Sequence, residues 1–199
     1  MTGLPSDRRK RFRLLLVVFL RVALIGLLLV ALTHQEWERF ADKAMAARAA
    51  TYPLAALVVP VIYLLRRGRY PYDVDALLML PFIVDVGGNA LNLYDSISWF
   101  DDACHFGNWA MLGGAIGCAL RRTSLPPLAV AGLVAGLGAA LAILWEIVEY
   151  QSFLLKTDEV VTIYRDTLGD EVLGLAGATT AGLLVAWVMA RGQRPDDRP

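Results

Sequence analysis

Long apolar runs, each broken by only a few acids, limit what this chain can become. Six stretches read as membrane-crossing helices: approximately Leu14–Thr33, Thr51–Leu65, Val74–Leu93, Ala103–Leu120, Pro127–Tyr150 and Leu168–Ala190. About 20 residues at a 1.5 Å rise cross a hydrocarbon core roughly 30 Å thick. Apolar residues make up 57% of the chain, above the roughly 45–50% usual in soluble domains, so little remains for a soluble module. The expected fold is all-α: a polytopic membrane bundle of six transmembrane helices. Residues 1–190 would form a single domain, and residues 191–199 a disordered cytoplasmic tail.

Two spans carry irregularities. The second is short and holds Pro53 and Pro60, tolerable in a membrane helix when neighbours satisfy the freed carbonyls. The first follows Arg8, Arg9, Lys10, Arg11 and Arg13, like the charged start of a signal peptide. Its apolar region is too long for one, Arg21 interrupts it, and Ala31-Leu32-Thr33 is a poor cleavage site, so a retained helix is expected. Cys104 and Cys118 lie on one span, roughly 21 Å apart along a helix, too far for a disulfide.

Charge sets the orientation, because cytoplasmic loops carry the excess of Lys and Arg. One side collects the amino-terminal five together with Arg66, Arg67, Arg69, Arg121, Arg122, Arg191, Arg194 and Arg198. The other has Arg39, Lys43, Arg48, Lys156 and Arg165. Thirteen against five places both termini in the cytoplasm. Residues 34–50, with Trp37, read as an interfacial amphipathic segment on the outer side.

Threaded this way, the polar groups gather. Asp85, Asn89 and Asn92 stand at i, i+4 and i+7 on the third span, which is one helical face. Asp101 and Asp102 precede His105 by four and three residues at the outer start of the fourth. Glu146, Glu149 and Tyr150 close the fifth, and Asp166, Asp170 and Glu171 open the sixth. An ionisable group in mid-membrane costs roughly 2.5–3.5 kcal/mol on insertion scales. Four helices each bringing a polar stripe to the outer half therefore predict a shared pocket. By contrast Asp158 and Glu159 read as solvated loop charges, and Arg21 with Asp85 as a buried structural ion pair. Gly113 and Gly117, Gly132 and Gly136, and the group Gly174, Gly177 and Ala178 read as packing positions that let helices approach closely. Gly88, beside the Asp85 stripe, is a candidate for making room in a cavity.

Three ordered elements carry a resemblance: Trp99-Phe100-Asp101-Asp102-Ala103-Cys104-His105-Phe106, Trp145-Glu146-Ile147-Val148-Glu149-Tyr150, and Asp166-Thr167-Leu168-Gly169-Asp170 followed by Leu175-Ala176-Gly177-Ala178. The chain resembles the YjdF-type inner-membrane proteins, whose pattern runs D-x-x-x-H-F or D-x-x-H-F, then E-x-x-E-[WY], then D-T-x-x-D and G-A. More distantly it is similar to VanZ-like proteins, which are associated with glycopeptide resistance. The resemblance covers roughly residues 70–185 and implies a multi-pass bacterial-type inner-membrane protein, without a particular chemistry. Glu149 stands where the VanZ-like pattern commonly has Gln, and no Asn follows Asp170. Both departures weigh against a resistance role.

The expected function is a membrane-embedded enzyme acting on a lipid-linked or envelope substrate. Asp102 and His105 would form its acid–base pair, with Glu146 and Glu149 completing the catalytic group. A neighbouring carboxylate fixes an imidazole's tautomer and raises its basicity, as proton transfer requires. Asp101, Asp102, His105, Glu146, Glu149, Asp166 and Asp170 also form a candidate ligand set for a divalent cation. An ion- or proton-coupled transporter is the alternative, with Asp85 extending the route to mid-depth, and an envelope-stress or resistance accessory protein is a third. The lipid bilayer, and a lipid-linked or small-molecule ligand, are the expected partners; nucleic acid is not.

Overall fold

Prolines and polar turns divide the chain into eight helices, in a computed structural model that describes residues 6–41, 43–152 and 163–192. They are α1 (Ser6–Thr33), α2 (Met45–Thr51), α3 (Pro53–Arg66), α4 (Tyr72–Ala90), α5 (Leu93–Ser96), α6 (Phe100–Leu120), α7 (Pro127–Ser152) and α8 (Ile163–Arg191). No strand occurs among the described residues. Asp158, Glu159 and the tail from residue 193 onward lie outside them.

Four segments are long and apolar enough to cross a membrane: Asp7–Thr33, Met45–Arg66 (α2 and α3 together), Pro127–Gln151 and Ile163–Arg191. The second is broken at Tyr52, where Pro53 begins α3 in the first-turn position that lacks an N–H to lose. Helices α4 and α6, at 19 and 21 residues, reach roughly 30 Å at 1.5 Å per residue but are more polar. Their place in the bundle accounts for that. α6 packs against α4, α7 and α8, so both helices turn side chains inward rather than toward lipid.

Two kinds of packing hold the bundle. On one side Val17, Leu20, Leu24, Leu28 and Ala31 recur every three or four residues along α1 and bury against Met79 and Val86 of α4. Phe40, Met45 and Tyr52 join the same core, so the segment expected at the interface is anchored inside by two of its side chains while most of it stays at the surface. Trp37 stays partly exposed, stacked on Phe40 with Arg39 over its ring.

On the other side α6, α7 and α8 approach through small residues. A Cβ at Gly177 would meet the Phe106 carbonyl oxygen, and one at Gly174 would meet Trp109 and Ala142. Gly113 lies against Ala178, and Gly117 against Val185. Gly132 and Gly136 differ from expectation, for nothing comes within 4 Å of a Cβ built there. Gly138, against Ala178, takes the close approach on α7 instead. Gly88 makes room for rings rather than a cavity, since a Cβ there would strike Phe100 and Tyr94.

Outward, the bundle presents Phe12, Leu15, Phe19 and Val22 of α1, Leu64 and Leu65 of α3, and Leu183 and Leu184 of α8. In water, continuous apolar faces of this extent demand a partner. In a bilayer, lipid supplies it.

Candidate functional site

Buried acids in the bundle fall into two kinds, and only one kind comes with its own cations. Near the α3–α4 turn, Asp75 is fully buried. It accepts hydrogen bonds from Arg21 Nη2 (2.8 and 2.7 Å) and from the Tyr70 hydroxyl (2.6 Å). Arg21 Nε also donates to the Ala56 carbonyl. Burial and the bond to Asp75 push the Tyr70 phenol up to about 12. Asp73, one turn away on the surface, pairs with Arg121 and Arg122.

The expected pair of Arg21 with Asp85 does not form. Side chains tilt toward the amino terminus of their helix, so Arg21 reaches back along α1 to the start of α4, where Asp75 and Tyr70 wait. Asp85 is neutralised from another direction. Arg48 of α2 donates Nε to its Oδ2 at 2.8 Å, and the Tyr52 hydroxyl donates to the same oxygen at 2.6 Å. Tyr94 and Asn89 add longer bonds to Oδ1, at 3.3 and 3.4 Å. Arg48 is itself fixed by donating to the Lys43 carbonyl. Asn92 leaves the stripe: α4 ends at Ala90, and Asn92 occupies the left-handed region at φ 59°, where Asn is favoured.

Asp85 and Arg48, with Lys43 and Tyr52, line one side of a cavity of about 740 Å³ at the ends of α4, α6, α7 and α8. Asp101, His105 and Asn108, at i, i+4 and i+7, put one face of α6 into it. Glu146 and Glu149 enter from α7, and Asp166 and Asp170 from α8. Phe82, Leu112, Leu141, Leu144 and Val148 make much of the remaining wall.

The imidazole stands at the centre. Its Nδ1 is 3.8 Å from Glu146 Oε1, and its Nε2 is 3.7 Å from Asp170 Oδ1 and 3.8 Å from Asp101 Oδ1. Two sets of potential ligand atoms share His105, each within 4.8 Å of one another: Asp101, His105, Asp170, and His105, Glu146, Glu149. His105, Glu146 and Asp170 are 8%, 7% and 5% exposed, and Asp85 is 7% exposed. Burial is therefore matched, yet no Lys or Arg forms an ion pair with any of the three among the described residues.

Several sequence expectations change here. Asp102, expected beside His105, is exposed and outside the cavity; Asp101 takes its place. Both spacings are compatible with contact on a helix, and the rotation of α6 decides between them. Asp166 is exposed and reaches only the lining of the cavity, while Glu171 and Tyr150 lie outside it. Asn108, Asp75, Tyr70, Arg48, Tyr52 and Tyr94 were missed. Of these, Asn108 was legible, lying three residues past His105 on the same face.

Residues 14–191 match the model of a family described as predicted membrane protein, DUF2238, and the chain belongs to that family. No curated protein and no solved structure matches the chain.

Proposed function

We propose that this DUF2238 membrane protein is a membrane-embedded enzyme acting on an amphiphilic, lipid-linked or envelope substrate. In this reading the chain crosses a bacterial-type inner membrane six times, α4 and α6 included, with both termini cytoplasmic. The positive-inside count supports that orientation, and it opens the cavity to the outer face. The YjdF-type likeness agrees with it, while the VanZ-like likeness adds no chemistry.

One observation carries the proposal: an imidazole and carboxylates from three helices share one cavity, with no basic residue paired to them. Structural carboxylates in this molecule have such partners, so these are left available for chemistry. The largely apolar wall suits an acyl or prenyl chain, and the polar end suits the bond to be broken. His105 is the group around which the chemistry is organised, with Glu146 on its Nδ1 side and Asp170 and Asp101 on its Nε2 side. Glu149 shapes the field at the Arg48 side, and Asp166 lies at the exposed end of the cavity. A transporter reading loses its strongest support, because Asp85 is tied to Arg48 and two tyrosines rather than free to relay protons.

Incubating the full chain in nanodiscs with envelope lipid extract, followed by mass spectrometry, tests this. Wild-type protein should deplete a lipid-linked species that folded His105→Gln leaves untouched. Identical extracts after both incubations would contradict the enzyme reading.

A further inference from the structure

We propose that Asp101, His105 and Asp170 bind one divalent first-row transition ion, with Glu146 orienting the imidazole from behind. This rests on the enzyme reading only in sharing its site. Ion binding can be measured where no turnover is known.

The geometry comes first. The three separations around His105, 3.7 to 3.8 Å, exceed the roughly 2.7–3.2 Å of a hydrogen bond. Ligand atoms about 2.0–2.2 Å from one tetrahedral ion stand about 3.4 Å apart, so the two distances from Nε2 need to tighten by only a few tenths of an ångström, while the atoms of Asp101 and Asp170 lie within 4.8 Å of each other.

A second observation is independent of the acids' number. His105 and Asp170 are more than nine-tenths buried, face the cavity, and have no hydrogen-bond partner within 3.5 Å among the described residues. Asn108 Oδ1, one turn further along α6, is likewise buried without a hydrogen bond. An unsatisfied buried acceptor such as Asn108 Oδ1 costs about 1–3 kcal/mol, while His105 and Asp170 open onto the cavity, where one cation would meet both.

The two sides of the ring are not equivalent. The Nδ1 side includes Glu149, in the cavity that Arg48 also lines. The Nε2 side, with Asp101 and Asp170, has no such cation among the described residues. The ion therefore belongs on Nε2, and Nδ1–H, now 3.8 Å from Glu146 Oε1, would close onto that carboxylate in the carboxylate–histidine–metal arrangement. One imidazole nitrogen with two carboxylates suits zinc or manganese better than magnesium or calcium. Three protein ligands leave a position open for water or substrate.

The test uses the full chain in detergent, stripped with a chelator and titrated calorimetrically with Zn2+ and Mn2+, with Mg2+ for comparison. Wild-type protein should take up one equivalent of Zn2+ or Mn2+ and bind Mg2+ at least 100-fold more weakly. Asp170→Asn and Asp101→Asn should each lose at least 100-fold in affinity, Glu146→Gln about 10- to 100-fold, and Asp102→Asn less than threefold. Circular dichroism and gel filtration confirm folding, and half-exposed Asp101 gives a probe that folds if Asp170→Asn does not. With only two histidines in the chain, 15N spectra should show Nε2 of His105 shifting on metal addition while His34 stays still. No stoichiometric binding, or wild-type affinity in both aspartate variants, would overturn the metal site. Activity that depends on His105 without any bound metal would do the same and leave the enzyme reading standing.

Discussion

Asp85 and Asp170 are almost equally buried, yet their surroundings are opposite. Asp85 receives an arginine, two tyrosines and an asparagine; Asp170 faces an imidazole and other acids. Asp75, with Arg21 and Tyr70, repeats the first arrangement. Burial alone therefore says nothing about purpose in this bundle. A carboxylate that arrives with its own countercharge holds helices together: Asp75 ties α4 to α1, and Asp85 ties α4 to α2. A carboxylate without one is, on the proposal made above, open to a cation from outside.

Substitutions at the two kinds of acid should separate them. Asp85→Asn strands the nearly buried Arg48 guanidinium, and breaking such a pair costs about 3–5 kcal/mol. Thermal unfolding in detergent should show the largest drop in midpoint of any variant considered, with Arg48→Gln in the same chain restoring most of it. A double variant no better than the single one would break the ion-pair half of the comparison.

Asp75→Asn should cost less, about 1–3 kcal/mol. Its partner Arg21 is a quarter exposed and can turn its charge toward the headgroups. The same melts rank the two; a larger loss at Asp75 than at Asp85 would reverse the assignment.

Gly177→Ala puts a methyl against the Phe106 carbonyl oxygen, forcing α8 from α6 and Asp170 from His105. It should destabilise by about 1–3 kcal/mol, as overpacking does. Gly169→Ala, with open space around it, should melt within about 0.5 kcal/mol of wild type. Equal effects would remove the close approach as the device that positions Asp170. The smallest change is expected from Asp102→Asn, which faces away from the cavity: within about 0.5 kcal/mol.

What the sequence made legible was depth and periodicity. Apolar runs mark the long helices, and the threading of those helices puts His105, Glu146 and Asp170 at one end of the bundle. Partner choice was not legible, because it depends on side-chain direction and helix rotation. Arg21 and Asp85 are at similar nominal depth, but the backward tilt of the α1 side chains carries the guanidinium a full turn or more away. Asp101 and Asp102 satisfy the same spacing argument, and only the contacts of α6 with α8 select the first. Arg48 could not be found from a span map, since it sits in a segment that Phe40 and Met45 anchor inside. Gly132 and Gly136 have the spacing of a packing motif, and α8 packs elsewhere on α7, at Gly138.

The central contrast is tested most directly by melting Asp85→Asn and Asp170→Asn side by side, in chelator. Countercharge being the difference, Asp85→Asn should unfold far below wild type, while Asp170→Asn should match it or exceed it, since removing one of several crowded acids relieves repulsion. Equal, large losses in both variants would mean that the His105 acids are structural supports like the others, and the account of the site would be wrong.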